Sequence, residues 1–106
     1  TYNFSKGSAP YFLPIWVSID KIKCSKITFA KAVRAEGISL NPHYKFLCND
    51  WPWARSIFKK KIEIPNAEFI RDKSFNLFLN ENYTNLEANE IVSAIKKVEN
   101  YYLKKE

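Results

Sequence analysis

Hydrophobic and polar positions alternate, cluster and recur along this chain in ways that divide it into elements. Tyr11 to Ile19 (YFLPIWVSI) is rich in β-branched and aromatic residues and is bounded by Pro10 and by Asp20-Lys21. It predicts a strand, with Pro14 near its start or on an exposed edge. Alternation directs Phe12 and Trp16, or their neighbours, toward a core. Ser25 is a good N-cap, and Ile27, Phe29, Ala30, Ala32 and Val33 follow at helical spacing. Lys26, Lys31 and Arg34 are expected on the wet face. Glu36-Gly37 ends this helix, with glycine in the left-handed position. Ile38 to Asn41 reads as a short strand, stopped by Pro42.

From His43 to Ile64 no period holds. The stretch lacks glycine and is dense in aromatic residues, which predicts an ordered loop with one short helix around 53–58. Pro65 to Asp72 reads as a short helix with Asn66 as its cap. Ser74 to Asn80 alternates as a strand, with Phe75, Leu77 and Leu79 on one face. Thr84-Asn85-Leu86-Glu87 is a capping box. It opens the strongest helix, about 85–103, striped by Leu86, Ile91, Ile95, Val98 and Tyr102. Strands and helices in this order predict an α+β fold, a small three- to four-stranded sheet with helices packed on one face.

Composition narrows the function classes. At 106 residues the chain holds one domain. With 46% hydrophobic and 16% aromatic residues it is not a disordered segment. No apolar run approaches the length of a membrane span. There is no methionine, and the polar stretch beginning at Thr1 carries no signal-peptide pattern. The expectation is a piece of a longer protein, with residues 1–10 as a linker from a missing N-terminal large domain and 11–106 as the domain itself. Cys24 and Cys48 make no disulfide framework or zinc motif and read as idle thiols in a reducing cytosol.

The net charge of +6 raises the question of an anionic partner. Basic residues are scattered, and Lys59-Lys60-Lys61 is the one tight run, so nucleic acid is not the expected partner. The alternative kept open is a stand-alone basic and aromatic module for an anionic ligand such as single-stranded nucleic acid. Candidate chemistry is sparse. His43 is the single histidine, no glycine-rich phosphate loop exists, and no acidic residues have metal-ligand spacing. Trp51-Pro52-Trp53 reads either as a stacking platform or as a loop anchored by two buried indoles, and aromatic density favours burial. His43-Tyr44 sits at a strand mouth, where site residues gather, although a surface histidine after a proline fits the position equally well.

The order of Ala35-Glu36-Gly37-Ile38, Asn41-Pro42-His43-Tyr44, Trp51-Pro52-Trp53, Ile64-Pro65-Asn66-Ala67, Ser74 to Thr84, Glu90-Ile91-Val92 and Ala94 to Glu99 forms one set. Across about 10–97 it resembles the C-terminal small domain of the DegT/DnrJ/EryC1/StrS family. Those are pyridoxal-phosphate-dependent aminotransferases that mostly act on nucleotide-linked keto-sugars. The segment departs from members that continue the histidine with Pro-Leu-His, since Lys45-Phe46-Leu47 stands there.

The resemblance implies a fold-type I aminotransferase with its large catalytic domain elsewhere on the same polypeptide. That domain would carry the Schiff-base lysine, the aspartate facing the pyridine nitrogen and most of the phosphate cup. Pyridoxal phosphate would belong to the intact parent and not to this chain alone, which would be inactive by itself. The parent would be a homodimer, while the idle thiols and the lack of a long apolar run point to the cytoplasm and away from a membrane. His43 and Tyr44 match the family's substrate-facing pair, and Trp51 and Trp53 would flank the pocket or the domain interface. A domain cut from its partner should show surplus apolar surface, and the loop 44–58 is expected to line it.

Overall fold

The computed structural model describes residues 10–60 and 62–105. The proposed linker over residues 1–10 lies outside them, save for Pro10. Three strands form one antiparallel sheet in the order β1 (Phe12–Trp16), β3 (Ser74–Phe78), β2 (Leu40–Asn41). β3 is central. Leu13 faces Leu77 and Ile15 faces Phe75 across one edge, and Leu40 faces Leu77 across the other. Two further bonds extend the ladders, from Val17 N–H to the Lys73 carbonyl (2.8 Å) and from Phe78 N–H to that of Ser39 (3.2 Å). The architecture is α+β, with three strands and no fourth among the described residues.

Strand alternation sorts the two sheet faces. Leu13, Ile15, Val17, Leu40, Phe75 and Leu77 join the core. Phe12 and Trp16 lie on the opposite face and are exposed, so their neighbours are the residues that turn inward. β3 ends at Phe78, one residue before Leu79, which is exposed.

α1 (Lys26–Ala35) and α4 (Asn85–Tyr102) cover the core face. α1 starts where the Ser25 hydroxyl accepts the Thr28 N–H at 3.1 Å. It presents Phe29, Ala30 and Val33 to the sheet. The helix stops at Glu36, and Gly37 takes φ of +94°, a conformation costly for residues with a Cβ. α4 opens with the expected capping box. Thr84 Oγ accepts from Leu86 N–H, and the Glu87 carboxylate accepts from Thr84 N–H at 2.7 Å. Its stripe begins at Ile91; Leu86, one turn too early to reach the sheet, is exposed. Phe29 lies 6.3 Å from Phe75 and 6.5 Å from Tyr102, which ties both helices to β3.

The end of α4 is fastened to the loop after β1. Ile22 bridges Leu103, Lys23 N–H donates to the Tyr102 carbonyl (2.8 Å), and Lys104 N–H donates to that of Lys21 (3.0 Å). α3 (Pro65–Lys73) uses Pro65 at its first position and Ile64 as cap, rather than Asn66. Proline suits that place because its missing N–H has no intrahelical partner there. The irregular stretch holds a 3₁₀ turn (Cys48–Asp50) and α2 (Pro52–Ile57), one residue earlier than the sequence pattern placed it.

Phe75, at 1% exposure, anchors this core. Phe75→Ala should cost about 3–5 kcal/mol in urea unfolding, whereas Leu86→Ala should stay within about 0.5 kcal/mol. Equal losses would mean that the sheet–helix layer is not the main source of stability.

Candidate functional site

The site is built at the exit of β2. The Asn41 side-chain oxygen accepts the His43 N–H at 3.1 Å, closing a turn of the kind Asn favours. Pro42 stiffens it. This turn directs His43 back to the first turn of α1, where Lys26 waits. Lys26 was expected in water but is only 4% exposed. It precedes Phe29, Ala30 and Val33 by three, four and seven residues, and so falls on their buried stripe. Its ammonium reaches the Pro42 carbonyl oxygen and His43 Nδ1, each at 3.0 Å. These two bonds offset part of the cost of taking the charge out of water.

Beside them lies a cleft of about 430 Å³ lined by Cys24, Ser25, Lys26, His43 and Asp72, with Ile19 and Ile27 as its apolar wall. Asp72 accepts from Arg71 Nε at 2.9 Å, and Arg71 also lies 3.9 Å from Asp50. Arg55 approaches the other Asp50 oxygen at 3.8 Å. Arg71 therefore stands between the cleft and the aromatic loop. Burial pushes the Lys26 ammonium below its usual range. It does the same to His43, helped by the positive charges of Lys26 and Arg71 and opposed by Asp72. The balance favours the neutral imidazole.

The four residues singled out from the sequence separate into two pairs. His43 is half-buried at the cleft, while Tyr44 is exposed and does not line it. Trp51 and Trp53 stack at 5.3 Å between ring centroids, tilted by 41°. They are 37% and 56% exposed, so the reading of two buried indoles is overturned. The reason is local. Pro52 starts α2 and turns both rings outward, while Ala54 is what that short helix buries. Tyr44, Phe46, Ile57 and Phe58 are exposed as well.

Asn49 supports the loop from within, donating to the Ile62 carbonyl at 2.9 Å. Of the lysine run, Lys61 lies outside the described residues. Among those described, no cluster of His, Cys, Asp or Glu is arranged to hold a metal ion. Cys24 and Cys48 are free thiols, and burial raises the Cys24 thiol above its usual range.

Sequence reasoning missed Lys26, Asp50 and Arg71. For Lys26 the signal was available in its spacing to Val33. Asp50 and Arg71 meet across two elements, and no local pattern marks that contact.

These features define a small α+β domain with a single-histidine cleft and an uncovered aromatic loop. A curated protein from Methanocaldococcus jannaschii, uncharacterized protein MJ1066, is 26% identical to this chain over 89 residues. The match takes in 83% of this chain and 23% of that relative, so the chain spans about a quarter of the relative's length. No family model matches the chain. No helix among the described residues is long and apolar enough to cross a membrane.

The lowered His43 value makes folding favour the neutral ring. Between that value and 6.5 the unfolded chain binds more protons, so stability is fully present above about pH 6.5 and is lost as pH falls through the folded value. Between pH 7.5 and 5, the chain should therefore lose more unfolding free energy than His43→Gln does. Parallel curves would mean that His43 is unperturbed. Iodide should also quench most of the tryptophan fluorescence, because Trp16 is exposed along with Trp51 and Trp53.

Proposed function

We propose that this chain is the C-terminal small domain of a pyridoxal-phosphate-dependent aminotransferase of the DegT/DnrJ/EryC1/StrS kind, whose substrate is a nucleotide-linked keto-sugar. The observation that carries the reading is the ordered motif set together with where it falls. Glu36-Gly37 closes α1, β2 follows, and Asn41-Pro42 turns His43 into a cleft beside an uncovered aromatic loop. A domain made to cover a partner should leave such apolar surface open when seen alone. The length of the archaeal relative, of which the match is only 23%, gives further support.

In this reading the large domain of the same polypeptide packs against the loop 44–58, and the two domains wall the substrate cleft together. His43 and Tyr44 contact the substrate, with Trp51 and Trp53 flanking the pocket or the interface. The parent is a homodimer, as the resemblance implies, in the reducing cytoplasm that two unpaired thiols suit.

The described residues of this chain do not fit the cofactor. Lys26 is the buried lysine among them, and its amine already binds the Pro42 carbonyl and His43. No lysine stands in the family's lysine motif. We assign the cofactor to the large domain and derive no step through it.

The test is the size and visible spectrum of the native protein, purified from its source with an antibody to this chain. A species several times heavier than 12.5 kDa, coloured by lysine-bound pyridoxal phosphate and bleached by an amino donor, is the expected result. A colourless native species of 12.5 kDa would overturn the reading and make salt-dependent binding of single-stranded nucleic acid the next measurement.

A further inference from the structure

Lys26 occupies a place where an apolar residue would ordinarily serve. It lies on the buried stripe of α1, and no carboxylate among the described residues is within ion-pair distance of it. Its bonds go to two neutral acceptors, the Pro42 carbonyl and His43 Nδ1, both in the segment that shapes the cleft. An ammonium group has three donors and no acceptor. Nδ1 must then offer its lone pair, and the single proton of the ring must sit on Nε2.

We infer that Lys26 is a positioning residue: by donating to Nδ1 it locks His43 as the Nε2–H tautomer, so that His43 meets its ligand as a hydrogen-bond donor. The backbone side of the same device is Asn41, whose side chain holds the His43 N–H at 3.1 Å. Ring and main chain are thus both fixed before any ligand arrives, which lowers the ordering cost of binding. The matching ligand group is an acceptor oxygen, such as a carbonyl, hydroxyl or phosphate oxygen.

The charged groups facing His43 are Lys26 from α1 and Arg71 and Asp72 from α3. Arg71 and Asp72 are paired with each other at 2.9 Å, which leaves Lys26 as the cation in direct contact with the ring. That His43 addresses a substrate rests on the proposed function. The tautomer and its cause do not.

The experiment is nitrogen-15 NMR on the labelled 106-residue chain, where the single histidine makes every ring signal unambiguous. Long-range proton–nitrogen correlations read the protonation of each ring nitrogen, and a pH titration reads the midpoint. In the unaltered chain Nδ1 should be the unprotonated nitrogen, with a midpoint below 6.5. Lys26→Met should raise the midpoint by about half a pH unit or more and shift the Nδ1 resonance. Lys26→Arg should keep both near their original values, because a guanidinium also donates.

A protonated Nδ1 in the unaltered chain overturns the inference. So does an unmoved midpoint in a Lys26→Met chain that keeps native spectral dispersion. If Lys26→Met does not fold, the unaltered chain decides alone. A Lys26 ammonium signal protected from exchange and correlated with Nδ1 supports the contact, and a freely exchanging one overturns it. None of these outcomes depends on whether the native protein holds pyridoxal phosphate.

Discussion

The position of β3 between β1 and β2 is the constraint from which the rest of the structure follows. Phe75 and Leu77 are the points where both edge strands and both covering helices meet. The edges come from distant parts of the chain, β1 near its start and β2 near residue 40. Everything between β2 and β3 must therefore leave the sheet and return to it. That requirement produces the long irregular stretch, and with it the aromatic loop. Pro14 is tolerated in β1 because that strand is an edge.

His43 is where the departing chain first meets another element. The Asn41-Pro42 turn brings it to the start of α1, and Lys26 holds it there. Arg71 plays the corresponding part on the return, bridging Asp50 in the loop and Asp72 at the end of α3 just before β3 begins. Ion pairs that keep contact with solvent contribute little to stability. Their service is to orient a segment that the core does not reach. The cleft thus lies at the junction of the outgoing and returning paths, which is where a fold of this connectivity can hold polar groups without disturbing its core.

Local chemistry was readable from the sequence wherever it was self-contained. Ser25 and Thr84 cap as their neighbours dictate, and Gly37 takes the positive φ that its place after α1 demands. The α+β class followed from the order of periods. Readings failed or stayed open where distant parts of the chain decide. Alternation left the phase of β1 open, and register with β3 turns Leu13, Ile15 and Val17 to the core while Trp16 lies on the other face against Phe69 of α3. Lys26 was placed by its charge, although its spacing put it on the buried stripe. The indoles of Trp51 and Trp53 were assigned to the interior by residue type, yet a six-residue helix with one buried alanine has no groove to receive them.

The fastening of α4 to the loop after β1 has a consequence for how the chain is made. Val98 completes the core, and Leu103 and Lys104 close the bridge to Lys21 and Ile22. During synthesis β1 emerges before β3, the strand it pairs with, and before α4, which packs on the same core. Its two apolar faces stay open to the cell for that interval, because loop closure over most of the chain must precede any reward from long-range contacts. Until β3 and α4 have been made, the unpaired edges and apolar side chains of β1 are an aggregation-prone surface that only the later elements can cover.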